Sequence, residues 1–398
     1  MSEARLLPEV GPTWVEIDLD NLAHNVREVR KMIGPRVRLL AVVKADAYGH
    51  GAVEVARVVL AHGADRLGVF SLAEARELRA AGIKAPTMVF ASPLLEQVDE
   101  AVALDVAVNV AAEDVARALG AAGRRAGRTV PVHLEVDTGM RRGGVGPAEA
   151  PELCARLAEI EGIALEGVYT HFVHPDARRN RRQLEQFESV LAELTRRGLR
   201  PPIAHAANSA GVVGLPESYL DMVRVGNLLY GVGAHGSGLD VRLTWSLKAR
   251  VVQVRRVARG EGVGYGSDFI ANRDMTVGVL AVGLADGFML DPVRPVARPL
   301  DWLSRVVMAG LQGWRAMSRG NGVRLAGRPA RLVGRVGMQH CLVDISGMDV
   351  QEGDVATVQC RWTAVSSRVP RVYIETGRPI KVALPAERRI VAFGTPSA

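Results

Sequence analysis

The chain has 398 residues, 48% hydrophobic and 23% charged, with 5% aromatic residues and 3 cysteines, which excludes a disordered chain and a disulfide scaffold and predicts two domains. Cys154, Cys341 and Cys360 lack Cys-x-x-Cys spacing, so a metal cluster is disfavoured and a reducing, cytoplasmic setting is expected. The net charge of +7 is modest and dispersed, and there is neither a leader pattern nor an apolar run of roughly 18 residues, so no nucleic-acid or membrane partner is expected.

Short β-rich runs alternate with helical patterns through the first part of the chain. The runs fall at 36–43, 66–70, 87–90, 105–110, 130–136, 165–172, 203–208 and 221–226. Between them, stretches such as EVARVVLAHG, LAEARELRAAG and AEDVARALGAAG carry apolar residues at i, i+3, i+4 and close on glycine. Eight strand–helix repeats predict an α/β fold, a (β/α)8 TIM barrel over 1–240. The dense cluster Arg178, Arg179, Arg181 and Arg182 opens one helical pattern and reads as a solvated face. From 241 to 398 β-branched runs take over (SLKARVVQVRRV, MTVGVLAVG, ARLVGRV, CLVDISG), predicting a C-terminal β-rich domain. A proline-rich loop and amphipathic helix at about 288–323 read as an insertion.

Barrel enzymes place their chemistry at the carboxyl ends of the strands. The first barrel strand ends in Lys44. Arginine supplies 45 of the 50 basic residues, so each lysine is informative where an amine must lose its proton. Lys44 is a candidate Schiff-base amine whose pKa burial would lower, the bland alternative being a pairing with Asp46. The fifth strand runs into EVDTGMRRGGVG and delivers Arg142, and the sixth ends THFVH and delivers His171, which by itself reads as well as a packing histidine. The last two strands end in HAANSAG and RVGNLLYG, the loops that often build a phosphate site in this fold. Ser209, Gly226 and Asn227 suit that task, and Tyr48 could add a phenolic donor. An amine, a phosphate cradle and an arginine on one barrel face imply pyridoxal 5'-phosphate, with Arg224 facing its ring nitrogen. Arginine gives up no proton, so the cofactor would be a weak electron sink, which favours removing and returning one α-proton.

These residues stand in AVVKADAYGHG, EVDTGMRRGGVG, THFVH, HAANSAG, VRVGNLLYG, VGYGSDF, ADG and GRVGM, and in that order the chain resembles the alanine racemase family over most of its length. The resemblance implies that Lys44 holds the cofactor and serves as base for the D enantiomer. It implies that Tyr265, from the partner subunit of a head-to-tail homodimer, serves the L enantiomer; taken alone, this tyrosine reads as a packed aromatic in a β-turn. Arg142 and Met338 would bind the amino-acid substrate, and Asn208 would join Tyr48, His171, Ser209, Arg224, Gly226 and Asn227 around the cofactor. The implied role is supply of D-alanine for peptidoglycan.

The chain departs from the family pattern at Glu135, where a carbamylated lysine is usual, at Gln339 after the methionine, and at Leu284 in GLADG, where a tyrosine is usual. The helix before the last strands looks shortened, with RVPRVY following CRWTAVSS directly. These changes cluster at the expected substrate entrance. They leave open racemisation of a broader amino-acid set, such as serine, lysine, arginine or ornithine, besides a non-catalytic cofactor-binding relative. A decarboxylase of the same architecture would carry an acid where Arg224 stands.

Overall fold

The structure is a computed structural model that describes residues 10–234, 236–290 and 322–384. It forms two compact units: Leu19–Thr244, and a second that joins the residues up to Asp18 to those from Trp245 onward. The sequence assigned the whole amino-terminal stretch to the barrel. The structure corrects this, because β1 (Thr13–Asp18) pairs with strands of the second unit.

The first unit contains eight parallel strands, β2 (Arg38–Val42), β3 (Arg66–Val69), β4 (Thr87–Val89), β5 (Ala107–Asn109), β6 (Val130–Glu135), β7 (Ile163–Tyr169), β8 (Ile203–His205) and β9 (Met222–Val225). Their spatial order is β8-β7-β6-β5-β4-β3-β2-β9, and the seam between β8 and β9 is drawn together by Asp221 N–H donating to Ala204 O at 3.0 Å. This is a near-closed TIM-like barrel. Strands covered on both faces lose the polar alternation of half-exposed ones, and β4, β5 and β9 are buried at every position.

The helices are α1 (Leu19–Ile33), α2 (Ala52–Ala61), α3 (Leu72–Ala80), α4 (Val98–Ala103), α5 (Glu113–Arg125), α6 (Ala150–Ala158), α7 (Arg181–Arg196) and α8 (Ser209–Gly214). Each of α2 to α8 follows a barrel strand, and β9 is followed instead by a 3-10 turn, Asn227–Tyr230. In α1 the buried residues Leu22, Val26, Val29 and Ile33 form one helical stripe. α3 starts on a capping box, with Ser71 Oγ accepting from Glu74 N–H at 3.4 Å and Glu74 Oε2 from Ser71 N–H at 3.3 Å. Among the described residues no helix is long and apolar enough to cross a membrane.

The second unit is β-rich and mainly antiparallel. Its strands are β1, β10 (Trp245–Val257), β11 (Gly262–Val263), β12 (Phe269–Ile270), β13 (Met275–Leu280), β14 (Val323–Leu325), β15 (Arg328–Leu332), β16 (Cys341–Asp344), β17 (Val355–Val358), β18 (Arg371–Glu375) and β19 (Arg378–Ala383). A bulge at Val251/Gln253 divides the long β10. Its first half pairs with β1 and β17, and its second half with β13. The expected insertion at 288–323 lies for the most part outside the described residues. The stretch CRWTAVSS holds only a 3-10 turn, Trp362–Ala364.

Candidate active site

β2 runs into buried Val43 and half-buried Lys44. The next four residues, Ala45, Asp46, Ala47 and Tyr48, all have φ between 50° and 56°, a left-handed turn. L-residues adopt it at a cost of roughly 1–2 kcal/mol each, so neighbouring groups must hold it. Asp46 Oδ1 accepts from Ala52 N–H at 2.7 Å, and Glu74 Oε1 accepts from Ala45 N–H at 2.7 Å. The other Glu74 oxygen accepts from Phe70 N–H at 2.6 Å, which ties the turn after β2 to the loop after β3. Burial first, and then the charge of Arg142, push the Lys44 amine below its ordinary pKa, against the opposing pull of Glu74.

His171, just past β7, also feels the charge of Arg142. Its imidazole is held down to about 3 by burial, and then by Arg224, Arg142 and Lys44. Arg224, Arg142 and Lys44 thus all act on His171. Arg224 is 3% exposed and sits over the Tyr169 ring at 5.1 Å. Its Nη1 donates to His205 Nδ1 at 2.7 Å and to His205 O at 3.1 Å. Its Nη2 donates to Thr170 O at 2.7 Å, Ala206 O at 3.2 Å and His171 Nδ1 at 3.4 Å. Both terminal nitrogens are thus spent on protein acceptors, and Nε is the donor left over.

Arg142 is half exposed and leans on buried Glu135, with 3.7 Å between Nη2 and Oε1. Tyr169 donates its hydroxyl to Glu135 Oε2 at 3.1 Å. The loop between them needs glycine, because at Gly144 (φ +84°) a Cβ would stand 2.4 Å from Glu135 O. A fixed carboxylate thus takes the place beside this arginine where the family pattern has a carbamylated lysine.

The loops after β8 and β9 meet at Ser209. Its hydroxyl accepts from Gly226 N–H at 3.3 Å and from Leu228 N–H at 3.4 Å. Asn208 caps α8, accepting from Ala210 and Gly211 N–H at 3.1 and 3.2 Å, and donates to Phe172 O at 3.3 Å. A Cβ at Gly226 would lie 2.7 Å from the Tyr48 hydroxyl, so this glycine leaves room for the phenol beside the loop. Asn227 is exposed at the start of its turn.

Tyr265 and Met338 belong to the second unit, on glycine-rich loops, 84% and 64% exposed. Tyr265 lies between β11 and β12 after Gly264 (φ +81°), and its loop is tied down by an ion pair between Asp268 and Arg335. Leu284 N–H donates to Gly337 O at 3.0 Å and Ala285 N–H to Met338 O at 2.8 Å, so two of the departures from the family pattern, Leu284 and Gln339, stand on neighbouring loops.

His205, His133, Glu166 and Tyr169 escaped the sequence reading. His133 Nδ1 lies 2.9 Å from His205 Nε2, and His133 Nε2 lies 2.9 Å from Glu166 Oε2. The signal was present, since His133 interrupts the apolar run VPVHLEV and His205 opens HAAN, and a histidine inside a barrel strand demands a partner.

Residues 17–234 match the family model described as alanine racemase, N-terminal domain, and residues 244–299 match that of alanine racemase, C-terminal domain. The alanine racemase of Desulfovibrio desulfuricans is 35% identical to the chain, covering 92% of it and 98% of the relative. The solved alanine racemase of Clostridium difficile 630 superposes with TM-score 0.81 at 27% identity, over 94% of this chain and 99% of that one. That of Bacillus anthracis, solved with bound L-Ala-P, gives TM-score 0.78 at 28% identity, over 94% and 97%.

Proposed function

The chain belongs to the alanine racemase family, and we propose that it interconverts L-alanine and D-alanine on pyridoxal 5'-phosphate with Lys44 and Tyr265 as the two bases. The observation that carries this reading is the cluster at the carboxyl ends of the barrel strands, where Arg224 of β9 donates to His171 Nδ1 at 3.4 Å and Lys44 follows β2, the strand paired with β9. The residues fit the cofactor on two structural grounds: the Nε donor left over on Arg224, and the cradle of Ser209, Gly226 N–H and the Tyr48 hydroxyl that a Cβ at Gly226 would fill.

Bound there, pyridoxal phosphate would withdraw electrons from the substrate and make its α-proton removable at neutral pH. Lys44, its pKa lowered by burial, would take or return that proton on one face. Tyr265 of the partner subunit serves the opposite face, so neither base has to carry the proton around the substrate. Arg142 orients the substrate carboxylate, steadied by Glu135, and Met338 contributes a backbone contact. Arg224 would lend a hydrogen bond to the ring nitrogen and keep its own proton. His171, held down to about 3, would stay neutral beside the bound cofactor. Asn208, Ser209, Gly226, Asn227 and Tyr48 would hold the phosphate with neutral donors. The product supplies D-alanine for peptidoglycan in the cytoplasm, and the working unit is a head-to-tail homodimer.

The neighbouring loops of Leu284 and Gln339 favour one second reading, a wider amino-acid range. Both readings are tested by loading the full chain with pyridoxal phosphate, recording its absorption and following L-alanine, L-serine, L-lysine and L-arginine by chiral chromatography. Alanine turnover is the expected result. Turnover confined to the larger substrates would replace the first reading with the second, and a bound cofactor without turnover of any of them would sink both.

A further inference from the structure

The interior of the barrel holds a chain of polar side chains which, apart from Arg224, the proposed chemistry leaves without a task. It begins at Arg224 on β9, passes through His205 on β8 and His133 on β6, and ends on Glu166 of β7, whose two oxygens accept from Arg66 Nη1 and Nη2 at 2.7 Å each. His133 and His205 are fully buried. Arg66 is the first residue of β3, so the chain runs from near the amino-terminal end of the barrel to the arginine near its other end.

The chemistry of the links allows one arrangement of protons. A guanidinium only donates, so His205 Nδ1 must accept from Arg224 and the His205 proton sits on Nε2. That N–H faces His133 Nδ1, which must accept in turn, leaving the His133 proton on Nε2 to be given to Glu166. An imidazolium at either position would set two donors against each other. The reversed tautomers would do so at Arg224. Burial lowers the pKa of both imidazoles, which agrees with two neutral rings.

The backbone is built around this chain. The parallel register of β6 and β7 shifts between Val132 and His133, pairing Val132 with Leu165 and His133 with Gly167, so Glu166 is the extra residue of a bulge. A Cβ at Gly167 would stand 2.1 Å from His133 Nδ1, the atom that must stay open as an acceptor. Tyr169 stacks on His205 at 4.8 Å and 16°, fixing the plane of that ring.

We propose that Glu166, His133 and His205 are positioning residues forming a one-way hydrogen-bond relay, which fixes the imidazole tautomers and so holds the Arg224 terminal nitrogens in place, leaving Nε as donor to the cofactor ring nitrogen. The first half of the proposal stands on the protein alone; the second rests on the cofactor reading above. All donors point toward Glu166, so its negative charge is relayed to the buried arginine without a direct ion pair.

The test uses the full chain in two measurements. In protein carrying 15N-histidine, long-range 1H–15N spectra distinguish the tautomers, and His133 and His205 should be neutral and protonated on Nε2 from pH 6 to 8, with or without cofactor. A proton on Nδ1 of either ring at neutral pH overturns the relay. The second measurement is the pyridoxal phosphate dissociation constant and the absorption maximum of the bound cofactor in His133→Leu and His133→Gln. Leucine fills the space without passing a hydrogen bond on, whereas glutamine can accept and donate at once.

Leucine should weaken cofactor binding by about 10-fold to 100-fold, the range expected when a buried donor is left unpaired, and should shift the absorption maximum, while glutamine should stay within about 3-fold of the original. Equal loss in both variants would mean a packing role and would overturn the proposal. Wild-type affinity and absorption in a folded His133→Leu protein would do the same. If the leucine variant does not fold, Glu166→Gln replaces it, since an amide facing both Arg66 and His133 must set a donor against a donor on one side. If the original protein takes up no pyridoxal phosphate, the cofactor reading falls and the half of the proposal that needs it falls too; the tautomer result then decides the relay by itself.

Discussion

The two units carry their candidate residues in opposite ways. In the barrel, Arg224 is 3% exposed and every acceptor around it is supplied by the protein, so its direction is set before any ligand arrives. In the β-rich unit, Tyr265 is 84% exposed on a hairpin tip between positive-φ glycines. A preorganised donor contributes to catalysis because its reorganisation was completed on folding. An exposed phenol needs a further surface to desolvate it. The comparison teaches that folding alone fixes the barrel's candidate arginine, whereas it leaves the candidate tyrosine of the β-rich unit open to solvent.

Four changes would break or sharpen that comparison. Lys44→Ala should abolish cofactor attachment that borohydride can trap and lower racemisation by at least about 10⁴-fold, the upper end of what one positioned base contributes. Retained turnover would remove the barrel amine from the chemistry. Tyr265→Phe should lower turnover by about 10²-fold to 10⁴-fold while leaving cofactor affinity and absorption unchanged. In that variant, D-alanine should still exchange its α-proton with deuterated solvent, because the Lys44 face is intact, and inversion should be lost. A change in cofactor affinity would show that the tyrosine belongs to the binding apparatus instead.

The third concerns acid stability, which the buried barrel histidines should dominate. His171 is held down to about 3, and His133 and His205 are also lowered, all by burial first, whereas an unfolded histidine titrates near 6.5. As pH falls below about 6.5 the unfolded chain takes up protons that the folded one refuses, so unfolding free energy should drop, by about 1.4 kcal/mol per pH unit for each histidine that stays neutral. Glu166, at about 2 in the folded state, should add its own loss only below about 4.5, where an unfolded glutamate begins to protonate. Urea midpoints at pH 7.5, 6.5 and 5.5 measure the histidine part, and a flat series would contradict it. The smallest effect is expected for Glu135→Gln. Arg142 is half exposed, so losing its charge partner should raise KM for alanine by about 1.5-fold to 5-fold, matching the 0.2–1 kcal/mol of a solvent-screened pair, with kcat nearly unchanged.

Much of the architecture was readable in the chain. The eight predicted barrel runs correspond to β2–β9, because parallel strands covered on both faces show as apolar runs broken by helical periods. The residues that end those strands, Lys44 above all, stood out because their chemistry contrasts with the run before them. The membership of β1 did not stand out. TWVEID looks the same whether it pairs inside a barrel or with β10 and β18, and that choice is made by long-range backbone hydrogen bonds. The left-handed turn after Lys44 was hidden as well, since Ala45, Asp46 and Ala47 give no local signal for positive φ and are held there by Glu74 and Ala52.

By itself, the sequence determined the order of strands and helices, the family, and the side chains available at the strand ends, since all of these follow from periodicity and residue type along the chain. Only the tertiary structure decided what each polar side chain is for. Whether His133 is a packing residue or a link to Arg224 depends on a one-residue register shift between β6 and β7 and on the absence of a Cβ at Gly167. Such distances of a few ångströms between residues far apart in the chain are set by the closing of the barrel, and no local pattern encodes them.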